Sequence, residues 1–340
     1  MMGIAFQPYL TAIEEELRQV VAAPSENLAH FYQMMSYHLG WLDENLAPVA
    51  GYGGKRIRPL LCLLACESAG TDWHRALPAA AAVELIHNFS LIHDDIEDNS
   101  TTRRGRPTVW SVWGLAHGIN AGDALFALAH RALDRLSNMG TAPHIALAAM
   151  EILHQTCLEL CHGQYLDMAY AGHLNVTEES YLRMIAGKTA ALIAASTQLG
   201  ALIAEAGERV EHYRLFGWHV GMAFQMVDDI LGIWGDPTTT GKSAADDIRN
   251  RKITLPILFA LRSPEVGAKL AILYRKSRLS EADIAHAVSL LDRAGARDYV
   301  QQQAATYEAS ALVALDAAGA QEPAATALRD LATSLTARQK

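Results

Sequence analysis

Apolar residues recur three and four positions apart through most of the chain, the period of an amphipathic helix. The pattern predicts helices over Leu10–Val21, Leu28–Leu46, Arg56–Ala69, Ala76–Asp98, Asn120–Leu136, Ile145–Tyr170, Tyr181–Ala206, Val210–Trp234 and Ile253–Leu261. Turn residues separate them at Gly51–Gly54, Gly70, Gly105-Arg106-Pro107, Gly172, Gly235-Asp236-Pro237 and Ser263-Pro264. Strand-like alternation between turn signals is missing, and the alanine-rich stretch from Glu281 onward reads as further amphipathic helices. No internal repeat appears and no shift of composition marks a boundary. The 340 residues are expected to form a single large all-α domain, 1–340, with helices longer than average.

Composition narrows the function classes. A chain that is 51% hydrophobic and 19% charged has ample material for a core. A net charge of −9 argues against broad nucleic-acid binding, which needs a basic field, although a local basic pocket is compatible with it. The cysteines fall as Cys62/Cys66 and Cys157/Cys161 inside apolar helical text, as inert core thiols do in a reducing compartment. The longest uncharged run, Thr189–Ala204, contains Ser, Thr and Gln and is short of the ~20 residues that cross a bilayer. The N-terminus has early acids and no basic region, so a signal peptide is not expected, and the expected location is the cytoplasm, without stable membrane insertion.

Candidate chemistry begins at LIHDDIEDNSTTRRG, Leu91–Gly105, where an apolar helix ends in Asp94, Asp95, Glu97 and Asp98. Asp94 and Asp98 are four apart and share a helix face, with side chains about 5–6 Å apart, so both can serve a hard cation. Alone, such a run also describes a solvated acidic helix end. A second pair, Asp228-Asp229, follows another long apolar helix in HVGMAFQMVDDILGIWGDP, and solvation explains two such pairs poorly. Basic packets lie around and between them: Lys55-Arg56-Ile57-Arg58, Arg103-Arg104, Gly241-Lys242 and Arg251-Lys252. Together they suggest carboxylates that hold Mg²⁺ on one diphosphate and basic groups that bind a second diphosphate directly.

The motifs GGKRIRP (Gly53–Pro59), ELIHNFSLIHDDIEDNSTTRRGRPT (Glu84–Thr108), INAGDALF (Ile119–Phe126), GQYLD (Gly163–Asp167), GKTAAL (Gly187–Leu192), FQMVDDILG (Phe224–Gly232) and GDPTTTGKSAADDIRNRKITLP (Gly235–Pro256) occur in that order. In them the chain resembles the trans-prenyl diphosphate synthases of the polyprenyl synthetase family, short-chain type. The resemblance implies an all-helical isoprenoid synthase fold around a central cavity, commonly a homodimer, and Mg²⁺ as cofactor, three ions with substrate bound. It makes Asp94, Asp98 and Asp228 metal ligands. Lys55, Arg58, His87 and Arg104 would bind isopentenyl diphosphate. Arg103, Lys188, Lys242 and Lys252 would face the allylic diphosphate (dimethylallyl, geranyl or farnesyl). Thr189 and Gln225 would stabilise an allylic cation. His87 lies seven residues before Asp94, two helical turns away on the same face, which agrees with its implied role.

Three points qualify the pattern. The second motif ends in Gly232 where the family usually has an acid, which bears on how Asp228 is supported. His154, Cys157, Cys161 and His162 resemble a zinc set in composition, yet their helical spacing equally describes packing. Phe89 and Ser90 precede Asp94 where, by the resemblance, residue size sets product length. An aromatic there implies geranylgeranyl diphosphate, with farnesyl diphosphate second. A class I terpene cyclase is the alternative of another class, but it has little use for a second diphosphate site. A non-catalytic subunit of a heteromeric synthase would be expected to lose metal or phosphate ligands.

Overall fold

The computed structural model describes residues 6–49, 54–236, 245–276 and 278–336. The helices are α1 (Gln7–Val20), α2 (Ala29–His38), α3 (Ile57–Ser68), α4 (Leu77–Glu97), α5 (Val109–Trp113), α6 (Leu115–Asp134), α7 (Pro143–Tyr170), α8 (Glu178–Ile185), α9 (Ala191–Ile203), α10 (Arg209–Trp234), α11 (Asp246–Arg249), α12 (Leu255–Leu261), α13 (Gly267–Tyr274), α14 (Glu281–Arg293), α15 (Ala296–Ala317) and α16 (Ala324–Thr336). Among the described residues the all-α expectation holds, apart from a small hairpin, β1 (Thr102–Arg103) with β2 (Arg106–Pro107). Two compact units divide the chain. One draws on Met1–Gln155, Ala195–Glu211 and Gly319–Ala325, the other on Thr156–Ala194, His212–Ala318 and Thr326–Lys340.

In the first unit α4 is the central rod, packed against α1, α3 and α6. Pro78–Ile86 is buried on every side, apolar except for Glu84, whose carboxylate is paired with Arg56. Pro78 suits the first turn because its missing N–H would have no helical partner there. At the other end Asn99 takes a left-handed conformation, φ 52°. Its N–H bonds Ile96 O and that of Ser100 bonds Asp95 O, which closes the last carbonyls of α4.

Two expected helices differ from what forms. The Leu28–Leu46 helix stops at His38, because Gly40 turns left-handed (φ 83°) and Trp41 N–H bonds back to Ser36 O. The apolar spacing of Trp41, Leu42 and Leu46 carried the helical pattern past that stop. The Tyr181–Ala206 helix is interrupted by a π-helical turn, Ala186–Ala190, that holds Lys188 and Thr189. There the backbone is pressed on α7: a Cβ on Gly163 would lie 2.1 Å from Lys188 N, so only glycine permits the approach.

The second unit is organised on α10, which buries Phe216, Val220, Met222, Met226 and Ile230. Around it Tyr181, Ile185, Ile248, Leu255, Leu258, Leu270, Leu290 and Val300 form one continuous core. Ser280 and Asp283 cap α14 reciprocally, satisfying two N-terminal donors.

Candidate active site

In the first unit the acidic motif stands at the carbonyl end of α4, with Asp94 half-buried and Asp98 exposed. The helix dipole is negative there and repels a carboxylate by roughly 0.3–1 kcal/mol. A cation removes that penalty. Two carboxylates on one face, with the remaining positions left to water and phosphate oxygens, form the donor set that suits Mg²⁺. Asp95 is set apart from this pair. It is buried and accepts a hydrogen bond from Arg103 Nε at 2.8 Å. Burial pushes its pKa up to about 6 against the pull of Arg103, and Asp94 and Asp98 add to the rise.

The hairpin presents the two arginines. Arg104 and Gly105 form its two-residue loop with φ 52° and 74°, the left-handed pair that a tight hairpin turn requires. Arg106 stacks over Tyr37 at 4.1 Å and donates to Leu42 O, while Tyr37 donates to Pro107 O at 2.6 Å. The turn is thus pinned to α2, and Arg104 lies against Gly54, where a Cβ would meet Nη1 at 2.9 Å.

Of the Lys55–Arg58 packet, Arg56 is consumed structurally. It is buried, with ion pairs to Glu14 at 2.6 Å and Glu84 at 2.8 Å and a hydrogen bond to Leu39 O. Lys55 is exposed and Arg58 half-buried. Burial pulls the Arg58 pKa down to about 10, with Arg104 adding to the fall, so it stays charged near neutral pH. His87 is held well below the ordinary histidine range by burial and then by Arg58, Arg104 and Arg103. Burial likewise lowers His38 to about 3, with the nearby arginines contributing. Among the described residues, Arg58 Nε and His38 Nε2 are buried without a hydrogen-bond partner. Crowded cations and orphaned buried nitrogens fit an anion. His38 was not singled out in the sequence, because nothing in SYHLG separates it from a core histidine.

In the second unit Lys188 pairs with Asp167 of GQYLD. Thr189 Oγ1 donates to Gln225 Oε1 at 2.7 Å, and Gln225 Nε2 donates to Asp229 Oδ1 at 3.1 Å. Asp229 is buried and also accepts from Tyr181 OH and from Leu255 N at 3.2 Å. Burial raises its pKa to about 7 even though these donors lower it. Asp229 is therefore committed to the protein interior, whereas Asp228 beside it is half-buried. Lys252 is half-buried, its N–H bonded to Asp247 O at 2.9 Å. Lys242 lies outside the described residues.

The polyprenyl synthetase family model matches residues 40–291. The chain belongs to the polyprenyl synthetase family. Within it, the chain is 43% identical to a geranylgeranyl diphosphate synthase of Mycobacterium tuberculosis, over 88% of this chain and 84% of that protein. It is 40% identical to a (2E,6E)-farnesyl diphosphate synthase of Mycobacterium bovis, over 91% of this chain and 87% of that one. Its fold matches a polyprenyl synthetase from Streptomyces coelicolor with a TM-score of 0.88, at 36% identity and over 97% and 98% of the two chains. This family member is accordingly a trans-prenyltransferase with the all-helical isoprenoid synthase fold. Among its described residues no helix is long and apolar enough to cross a membrane, and no group of three His, Cys, Asp or Glu forms a metal set. The composition that suggested zinc is dispersed: His154 stacks on His130 at 5.0 Å, Cys157 is buried and Cys161 exposed.

Proposed function

We propose that the enzyme joins isopentenyl diphosphate to an allylic diphosphate, C1′ to C4, with Mg²⁺, and makes geranylgeranyl diphosphate in preference to farnesyl diphosphate. The observation that carries this reading is in the first unit. A carboxylate pair sits at the negative end of α4, and cationic Arg58 and Arg104 with neutral His87 and His38 form an anion-suited cluster. These are two separate provisions for phosphate, as a reaction of two diphosphates needs. Mg²⁺ held by Asp94, Asp98 and Asp228 would neutralise the diphosphate that leaves.

Lys55, Arg58, His87 and Arg104 bind the isopentenyl diphosphate, and Arg103, Lys188 and Lys252 (with Lys242) neutralise the allylic one. Breaking the allylic C–O bond releases diphosphate and leaves an allylic cation, which the oxygens of Thr189 and Gln225, linked to each other and to Asp229 by hydrogen bonds, would stabilise. The isopentenyl double bond attacks the cation, and a proton passes to the departing diphosphate. No protein nucleophile takes part. Purified protein given both substrates should release pyrophosphate and stop when EDTA is added; release that persists in EDTA contradicts the reading.

The two diphosphate roles separate in kinetics. Lys55→Ala and Arg58→Ala should each raise the KM for isopentenyl diphosphate by about 10- to 100-fold, a charged contact being worth about 1.5–3 kcal/mol. Arg103→Ala should act more on the allylic KM, and it also leaves Asp95 without its partner. Steady-state assays varying each substrate in turn check the division.

The preference for a C20 product rests on Phe89, and the named relatives include both a geranylgeranyl and a farnesyl synthase. Its ring meets Phe126 at 5.1 Å and His93 at 5.5 Å, while neighbouring Ser90 donates to His87 O at 2.8 Å. Phe89→Ala should lengthen the product by at least one five-carbon unit, read by chromatography of the dephosphorylated alcohols. Unchanged products with a Tm drop would show that Phe89 only packs against α6. A homodimer is part of the reading, supported by Leu115, Ile119 and Phe126 exposed at four- and seven-residue spacing on α6. The four free cysteines suit a cytoplasmic location.

A further inference from the structure

The second acidic motif ends in Gly232, four residues after Asp228 and so on the same face of α10. The space beside that glycine is taken. A Cβ built there would lie 2.1 Å from Asp247 Oδ2, 2.6 Å from Asp247 Cγ and 3.1 Å from Asp247 Oδ1. Asp247 is itself buried, in the short helix α11 that follows left-handed Ala245. Its carboxylate thus stands where a side chain at position 232 would begin, about one helical turn from Asp228.

We propose that Asp247 supplies the carboxylate missing from the second acidic motif, delivered from the following segment and admitted by the glycine. It acts as a positioning residue, through Asp228. The segment is clipped to α10 at two points: Asp247 against Gly232, and Leu255 N–H on Asp229 Oδ2 at 3.2 Å. Lys252 lies between the clips, its N–H bonded to Asp247 O at 2.9 Å. The Asp247 carboxylate, one helical turn along α10 from Asp228, therefore adds negative charge to that face, while its backbone carbonyl, independently of the side chain, accepts the Lys252 N–H. Glycine at 232 leaves the Asp247 carboxylate its place, and a side chain at 232 would force that carboxylate to move.

The inference rests on the proposed role of Asp228, and an exchange experiment separates the two. Calorimetric titration of inorganic pyrophosphate in the presence and absence of Mg²⁺, with a thermal melt, is run on the full chain. Asp247→Asn keeps the volume and removes the charge. It should weaken Mg²⁺-dependent pyrophosphate binding about 10-fold or more while Tm changes little. Gly232→Asp alone should lower Tm through the clash. Gly232→Asp combined with Asp247→Ala should recover both Tm and binding relative to either single variant. Native-like binding by Asp247→Asn, or a double variant no better than Asp247→Ala, overturns the proposal and leaves the proposed function standing. Absence of Mg²⁺-dependent binding in the native chain overturns both.

Discussion

Asp94→Ala and Asp98→Ala are each expected to lower kcat by about 100- to 1,000-fold, the usual scale for deleting one group that stabilises developing charge. The fold should survive. Both carboxylates stand at the solvent end of α4, and the helix dipole and their mutual repulsion disfavour them there. Their removal should leave Tm level or slightly higher, which is the opposite of what a structural role would produce. The diagnostic is the pairing of a deep loss in turnover with an unchanged melt. Asp95→Ala should behave differently. It strips the buried partner from Arg103 and the acceptor that ties the hairpin to α4, so stability and the allylic KM should suffer together.

The second large effect divides Asp228 from Asp229. Asp228→Ala should resemble Asp94→Ala, with turnover lost and the fold kept. Asp229→Ala removes the acceptor shared by Tyr181 OH, Gln225 Nε2 and Leu255 N–H. Leaving buried donors unsatisfied costs about 1–3 kcal/mol each, so a total near 3–5 kcal/mol is expected. In a chain of this size that lowers Tm by roughly 4–7 °C. Whatever activity survives below the melt should exceed that of Asp228→Ala. Equal turnover losses at both positions, with unchanged melts, would show that Asp229 also serves the substrate.

Much of the scaffold was legible because its helices are long and locally encoded. Ala76–Asp98 formed as Leu77–Glu97 and Val210–Trp234 as Arg209–Trp234, each displaced by a residue at most at either end. The features that escaped depend on partners distant in sequence. The hairpin that presents Arg104 is pinned by Tyr37 to Pro107, 70 residues apart. The π turn at Lys188 lies where the backbone meets Gly163. Spacing and resemblance separated Asp94, Asp98 and Asp228 from their neighbours, but not what the neighbours do instead: Asp95 pairs with Arg103, and Asp229 accepts from Tyr181, Gln225 and Leu255. Gly232 read as a missing carboxylate, and the acid that occupies its place is fifteen positions on, in a different helix.

The central claim, condensation of two diphosphates, is tested most directly by product analysis with labelled isopentenyl diphosphate. Purified protein and Mg²⁺ are incubated with the labelled substrate and, in turn, dimethylallyl, geranyl and farnesyl diphosphate. The account predicts labelled linear diphosphates longer than each accepted primer by whole five-carbon units, accumulating at C20, with no labelled product in EDTA. An unlabelled cyclic hydrocarbon formed from the allylic substrate alone would contradict it.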